Sequence, residues 1–195
     1  VQYNVTESTL TGYDTTWTGQ SGTIGADTAA SVTCTNTRKT TELTVKKTAT
    51  IGQNSDQTEY KPGQAVPFEI KVQLGNSTES RGNHNGNISW LGEGVYTLTL
   101  TPNLNGNSES ITITGIPTET TYKVWEENLG TDWTNNVPAG GSTGTVSGQT
   151  VEIKNHYYKP QKTSIAVEKV FTEGTPDEVK PTSVTVELLQ DGTKV

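Results

Sequence analysis

The stretch Leu43-Thr44-Val45-Lys46-Lys47 alternates apolar and polar side chains with a period of two residues. Because successive side chains of a β-strand point to opposite faces, Leu43, Val45 and Lys47 share one face. Two of these three side chains are apolar, so this face is expected to turn toward a core and to carry Lys47 with it. The stretch therefore predicts a strand that places an amine in an apolar interior.

The same alternation recurs in short segments that are separated by Gly-, Pro- and Asn-containing turn signals. The clearest segments are 68–74, 95–100, 122–126 and 151–155. An amphipathic helical stripe is absent from the sequence. These patterns predict an all-β fold of tandem immunoglobulin-like β-sandwich domains. The Gly/Asn/Ser-rich segment 75–94 is predicted to be a surface loop.

Two sequence patterns recur 119 residues apart. Tyr3-Asn4-Val5-Thr6-Glu7 and Tyr122-Lys123-Val124-Trp125-Glu126 share Tyr-x-Val-x-Glu. Val32-Thr33-Cys34-Thr35-Asn36 occupies the same place as Val151-Glu152-Ile153-Lys154-Asn155. A period of about 120 residues is typical of one domain per repeat rather than of a solenoid.

The repeat predicts three domains, of which one is whole. Residues 1–39 are expected to be the C-terminal part of a first β-sandwich. Residues 40–159 are expected to form a complete middle β-sandwich. Residues 160–195, which repeat the lysine strand as Ile165-Ala166-Val167-Glu168-Lys169, are expected to be the N-terminal part of a third domain.

Composition excludes several function classes. The 195-residue chain is 29% hydrophobic and has a net charge of −7, one cysteine and no methionine. The acidic balance argues against nucleic-acid binding, and no apolar run is long enough to span a membrane. Without an initial methionine or a signal peptide, we expect a mature piece of a longer protein. Cys34 is predicted to be a small buried side chain, and no motif indicates a cofactor or a metal site.

Lys47, Glu126 and Asn155 end three predicted strands on their apolar faces. Burying any one of these groups alone is costly, so the three are expected to meet. One interpretation is structural: a strand-end group that reaches solvent, or a Lys–Glu ion pair capped by the asparagine.

The other interpretation is chemical: the lysine amine attacks the asparagine carboxamide and forms an isopeptide bond. In that case the carboxyl group shuttles protons, since burial favours the neutral forms of both ionisable groups. Lys46 and Glu127 are the alternatives if a bulge shifts the strand register.

The middle segment resembles the isopeptide-forming pilin-type domains of Gram-positive surface proteins. The resemblance lies in the lysine strand at 43–48, in 113–117 with 121–127, and in the closing stretch 151–157. The segment 160–195 resembles a CnaB-like domain, and 1–39 resembles the closing half of such a domain.

The resemblance implies that Lys47 bonds Asn155 with the assistance of Glu126. It also implies that Glu7 and Asn36 are the acid and the acceptor of a first-domain bond whose lysine lies upstream. Lys169 would be the nucleophile of a third bond whose partners lie downstream. Whether the incomplete end domains are completed by their own chain or by another chain stays open.

The favoured hypothesis is a structural stalk or fibre segment of a bacterial cell-surface protein or pilus. The expected chemistry is a single self-cross-linking event, so the protein is not expected to be an enzyme. Its expected partners are neighbouring domains or subunits of the same fibre, in an extracellular, cell-wall location. The alternative is an adhesin module that binds a host protein or glycan through surface loops such as 75–94.

Overall fold

The computed structural model of the protein describes residues 1–127, 129–162, 164–171, 174, 176–179, 183, 185–190 and 193–194. Its contacts divide the chain into two compact units, Val1–Gln161 and Lys162–Val195. Within the described ranges, helical structure is limited to the 3-10 turn Asp177–Val179. No helix there has the length and apolar character that crossing a membrane requires. The predicted all-β fold class is confirmed.

The first unit contains fourteen strands among its described residues, and the longest connection, residues 52–67, joins the fifth strand to the sixth. The strands are β1 (Gln2–Asn4), β2 (Tyr13–Thr18), β3 (Ser21–Thr23), β4 (Thr33–Arg38), β5 (Thr40–Ile51), β6 (Phe68–Leu74), β7 (Ser80–His84), β8 (Ile88–Ser89), β9 (Gly94–Leu100), β10 (Asn105–Pro117), β11 (Thr121–Glu126), β12 (Trp133–Asn135), β13 (Ser142–Thr145) and β14 (Thr150–Tyr157).

Strands β5 to β14 form a β-sandwich of two five-stranded sheets. One sheet has the order β12-β14-β5-β10-β8, and the other has the order β13-β11-β6-β9-β7. In the first sheet, β5 and β14 lie side by side and run parallel, although they are the first and last long strands of the sandwich. Because the two strands run parallel, the chain enters the sandwich at one end of this strand pair and leaves it at the other.

The period-two pattern determines which side chains fill the sandwich. On β5, the buried side chains are Leu43, Val45, Lys47 and Ala49, and the side chains between them are more exposed. Two hydrophobic clusters result. The larger contains Val45 and Ile153, and the smaller contains Ala49 and Phe68. Lys47 lies between these clusters along β5, so a polar layer separates them.

The segment 75–94 is more ordered than the predicted surface loop. It contains the short strands β7 and β8, each of which pairs in parallel with a strand of the sandwich. The Asn87 side chain accepts a hydrogen bond from the Thr112 backbone N–H at 2.9 Å, and Trp90 packs against the larger cluster. The Gly and Asn content of the segment is typical of a loop. The strands with which it pairs are distant in sequence, so the local pattern did not predict β7 and β8.

The first 38 residues form two small sheets, in which β1 pairs with β3 and β2 pairs with β4. All six residues of β4 are exposed, including Cys34. The prediction of a buried Cys34 is therefore wrong. Alternation correctly grouped residues on one strand face, but burial also requires a second sheet over that face, and the described residues place none there.

Among the described residues of the second unit, β15 (Leu189–Gln190) pairs with β16 (Thr193–Lys194). Residues 164–171 form no strand, contrary to the expected lysine strand, and Lys169 is exposed. A strand needs a neighbour to satisfy its backbone groups, and the described residues supply none for this segment. Much of the CnaB-like pattern between 180 and 192 lies outside the described residues.

Candidate functional site

Three strands from both sheets bring Lys47, Glu126 and Asn155 together. In the parallel ladder of β5 and β14, Lys47 lies opposite Ile153, and Asn155 lies opposite Ala49. The side chains of Lys47 and Asn155 thus point to the same interior from neighbouring strands, offset by two residues in the register. Glu126 ends β11 in the facing sheet, where it pairs with Ile70. The three groups therefore meet across the sandwich rather than along one strand.

The contacts within this cluster are short and buried. The Lys47 Nζ lies 3.0 Å from Oε1 and 2.9 Å from Oε2 of Glu126. The Asn155 Nδ2 donates to the same Oε1 at 3.0 Å. Since both nitrogens lie 3.0 Å from one oxygen atom, they are at most about 6 Å apart. The side chains of Lys47 and Glu126 are 0% and 2% exposed, and Asn155 is 2% exposed.

Burial changes the protonation of the amine. Desolvation lowers the pKa of Lys47 from its ordinary value to about 8, against an opposing effect of the Glu126 carboxylate. An amine with a pKa near 8 is neutral in about one molecule in ten at pH 7, roughly 300 times more often than an ordinary lysine. The Lys47 Nζ also lies 4.4 Å from the centre of the Phe68 ring. The site therefore increases the fraction of nucleophilic amine.

The carboxamide of Asn155 is half satisfied. Its Nδ2 donates to Glu126, whereas its Oδ1 is buried and has no hydrogen-bond partner in the described part of the chain. A buried acceptor without a donor costs about 1–3 kcal/mol. A carboxyl group that carries a proton could donate to this oxygen after rotation of the amide. The unpaired atom is the oxygen that a nucleophilic attack on this carboxamide would charge.

The register alternatives, Lys46 and Glu127, lie elsewhere. The Lys46 Nζ pairs with Glu152 at 3.1 Å in a partly exposed network that also includes Lys154. Hydrogen bonds from these two lysines lower the pKa of Glu152, as is usual at a surface. Glu127 is exposed and accepts a hydrogen bond from the Trp125 indole N–H at 2.9 Å.

Glu7 and Asn36, the other predicted acid and acceptor, also contact each other. The Asn36 Nδ2 donates to Oε1 and Oε2 of Glu7 at 3.0 and 3.1 Å, and the Cys34 thiol donates to Oε2 at 3.3 Å. These residues are exposed, and no salt bridge joins Glu7 to a lysine of the described chain. Lys169 stacks on Phe171, with its Nζ 5.4 Å from the ring centre, in the second unit.

A cavity of about 450 Å³ lies beside Glu126. Four aromatic side chains and several carboxylates line it, and we call it the aromatic cavity. The aromatic residues are Tyr60, Phe68, Trp133 and Tyr157. The sequence patterns gave no indication of this cluster, since its members come from four separate segments. The one available signal was Tyr157, which lies two positions beyond Asn155 and so shares its face.

The arrangement has the parts of an acyl transfer: a partly neutral amine, a carboxamide and a carboxyl group that contacts both. Among the described side chains, no group of three or more His, Cys, Asp or Glu is placed to hold a metal ion.

Comparison with curated proteins finds no match. Among solved structures, a crystal form of the pilus-presented adhesin Spy0125 (Cpa) and a cysteine-to-alanine mutant of the same adhesin are each 20% identical to this chain, with TM-scores of 0.37 and 0.36. Each alignment covers 63% of this chain and 28% of the adhesin chain, so the chain spans less than a third of the adhesin's length. The sequence also matches a domain of unknown function, DUF7601, over residues 41–157. Since this match covers more than half of its residues, the chain belongs to the DUF7601 family.

Proposed function

We propose that this protein is a structural segment of a bacterial cell-surface stalk, fibre or pilus, closed by an isopeptide bond between Lys47 and Asn155. The observation that carries the proposal is the buried cluster of Lys47, Glu126 and Asn155, in which one carboxylate contacts both the amine and the carboxamide. A buried ion pair alone is weak support for stability, because desolvation offsets its attraction. A cross-link explains the same residues better, since it removes the buried charge.

The reaction begins with transfer of a proton from the Lys47 ammonium to Glu126. The neutral Nζ then attacks Cγ of Asn155, and Glu126 donates a hydrogen bond to Oδ1 as negative charge develops there. The C–Nδ2 bond breaks, and the nitrogen leaves as ammonia after it takes up a proton through Glu126. One amide bond forms, one amide bond breaks, and no oxidant or cofactor is needed. Confinement at hydrogen-bond distance supplies the effective concentration.

The position of the bond suits a load-bearing domain. It would join β5 and β14, the first and last long strands of the sandwich, which lie side by side in the same sheet. A pulling force would enter through one of these strands and leave through the other. The bond would then transmit the force directly from one strand to the other, so that the residues between Lys47 and Asn155 would not bear it. This geometry supports a fibre segment whose partners are neighbouring domains or subunits outside the cell.

Intact mass spectrometry of the full chain tests the bond. We expect a mass lower than that of the sequence by one ammonia. The substitutions Lys47→Ala and Asn155→Ala should each restore the sequence mass. A wild-type mass equal to that of the sequence would refute the proposed bond.

Ammonia is also lost when asparagine cyclises, above all before glycine, as at Asn85-Gly86 and Asn105-Gly106. Tandem mass spectrometry of a protease digest separates the two sources. The proposal requires a branched peptide that contains Lys47 and Asn155. Loss of ammonia that maps to another asparagine and persists in Lys47→Ala would contradict it.

A further inference from the structure

The aromatic cavity combines rings and carboxylates in one concave site. Its volume of about 450 Å³ lies within the range of small-molecule pockets. The rings of Tyr60, Trp133 and Tyr157 contact one another, with centroid separations of 4.8 to 5.3 Å, and Phe68 contacts Trp133 at 5.2 Å. Such a cluster forms a semi-rigid wall.

The charge of the lining is uniformly negative. Its described residues include five carboxylates and no lysine, arginine or histidine; the five are Glu59, Glu69, Glu126, Glu127 and Asp132. Glu59 pairs with Lys159 at 3.6 Å, and Glu126 pairs with Lys47. The other three have no salt bridge within the described ranges. The lining of the cavity therefore carries an excess of negative charge.

A buried hydroxyl group adds an unused acceptor to the same wall. Tyr157 is 1% exposed, and its Oη has no hydrogen-bond partner among the described residues. Burial, and then the negative charge of Glu59, raises the pKa of Tyr157, so the hydroxyl stays neutral. Because this oxygen is also shielded from solvent, it can accept a hydrogen bond from a ligand N–H group only after a shift of the ring cluster.

Before any cross-link forms, one ring of this cluster already contacts a cation. The Lys47 Nζ lies 4.4 Å from the centre of the Phe68 ring, a distance typical of cation–π contacts. Aromatic walls with nearby carboxylates are the environment in which proteins bind ammonium and guanidinium groups. A neutral sugar would also stack on the rings, but it would gain little from three carboxylates that have no salt bridge.

We propose that the aromatic cavity binds an organic cation, namely an alkylammonium or guanidinium group such as a lysine or arginine side chain carries. The rings would contact the alkyl stem and the charged head, and Glu69 and Asp132 would pair with the charge. This inference does not depend on the isopeptide bond. The Lys47–Glu126 pair has no net charge, and its products, a neutral amide and a neutral carboxyl group, have none either.

Titration of the full chain with blocked amino acids tests this site. N-acetyl-lysine methylamide and N-acetyl-arginine methylamide serve as probes, and N-acetyl-norleucine methylamide is the uncharged control of similar shape. Chemical shifts of the Trp133 indole and of backbone amides in 129–133 locate the binding, and calorimetry measures affinity. We expect saturable binding of a cationic probe, at least about tenfold tighter than that of norleucine. The same probes within a short peptide distinguish a partner's side chain from a free amine.

The double substitution Glu69→Gln/Asp132→Asn removes two carboxylates from the lining without touching the Lys47 cluster. We expect it to weaken binding of the cationic probe roughly threefold to tenfold, as for partly exposed ion pairs. Glu42→Gln/Glu119→Gln changes the net charge equally at exposed positions outside the cavity and should leave the affinity unchanged.

Four results would overturn the proposal. The first is no saturation by either cation. The second is equal binding of norleucine. The third is the same loss of affinity in both double variants. The fourth is binding of a neutral oligosaccharide with the shifts expected for the cation. Failure here together with a confirmed branched peptide would leave the proposed cross-link intact.

Discussion

Replacing Lys47 by methionine and Glu126 by glutamine in one variant separates loss of the cross-link from loss of buried charge. Methionine fills a volume similar to that of the lysine stem but has no nucleophile. Glutamine keeps the shape of Glu126 without its charge. The variant therefore cannot form the bond, and it leaves no unpaired ion between the two hydrophobic clusters. The wild-type protein would also have no ion there if it carries the proposed cross-link.

The expected magnitude follows from the length of the closed loop. Lys47 and Asn155 are 108 positions apart (155 − 47 = 108). Closing a loop of about 100 residues restricts the unfolded chain by about 4.7 kcal/mol. The double variant should therefore lose about 4–5 kcal/mol of unfolding free energy. For a domain of this size, that corresponds to a Tm lower by roughly 15 °C.

The single variant Glu126→Gln is the matched comparison. It also blocks proton transfer, but it leaves the amine of Lys47 buried without its carboxylate. An uncompensated buried charge costs a further 3–5 kcal/mol or so. The expected order of stability is wild type, then Lys47→Met/Glu126→Gln, then Glu126→Gln. Urea unfolding, with intact mass measured on the same samples, gives both quantities. A double variant as stable as the wild type would refute the reasoning, since no cross-link would then restrict the unfolded chain.

Four further outcomes are expected. In Asn155→Ala, the pKa of Lys47 should stay below its unfolded value, so the unfolded state binds more protons than the folded state between pH 8 and 10.5. Urea unfolding should therefore show a free energy of unfolding that rises by about 3 kcal/mol from the lower to the higher pH. A flat profile would show that the amine is not desolvated. Lys46→Ala should keep the loss of one ammonia and change stability by less than about 0.5 kcal/mol; abolition of that loss would mean that the strand register is wrong. Tyr157→Phe removes a buried hydroxyl without a partner, so thermal unfolding should show equal or slightly higher stability; a loss beyond about 1 kcal/mol would reveal a missed partner. In single-molecule pulling, the wild-type domain should not release the residues between Lys47 and Asn155. When the Lys47→Ala domain unfolds, these residues should lengthen the chain by roughly 350–390 Å. The same extension in the wild type would contradict a bond at this position.

Period-two alternation was sufficient to predict the main features of the sandwich and its polar cluster. It places Lys47, Glu126 and Asn155 on apolar strand faces, and each of these side chains is buried in the space between the two sheets. The same rule failed for Cys34, because alternation identifies a strand face but not whether another sheet covers it. It failed for residues 165–169 for a related reason, since a strand also needs neighbours.

The aromatic cavity was beyond sequence reasoning for a different reason. Tyr60, Phe68, Trp133 and Tyr157 come from a loop and three strands, and no spacing rule connects them. Their proximity depends on the end of the sandwich where β6, β12 and β14 approach one another. A pattern read along the chain gives the face of each strand, whereas a cavity depends on which faces meet.

The polar layer between the two hydrophobic clusters links folding to the proposed chemistry. Lys47 follows Val45 and precedes Ala49 on β5, so burying either apolar neighbour forces the amine into the interior. Folding therefore supplies the free energy of desolvation that lowers the pKa of the amine. The proposed cross-link would require both sheets to have assembled, because Glu126 comes from the opposite sheet. A misfolded chain would keep a protonated lysine and a free asparagine. The presence of the bond would therefore indicate that this domain had reached its native structure.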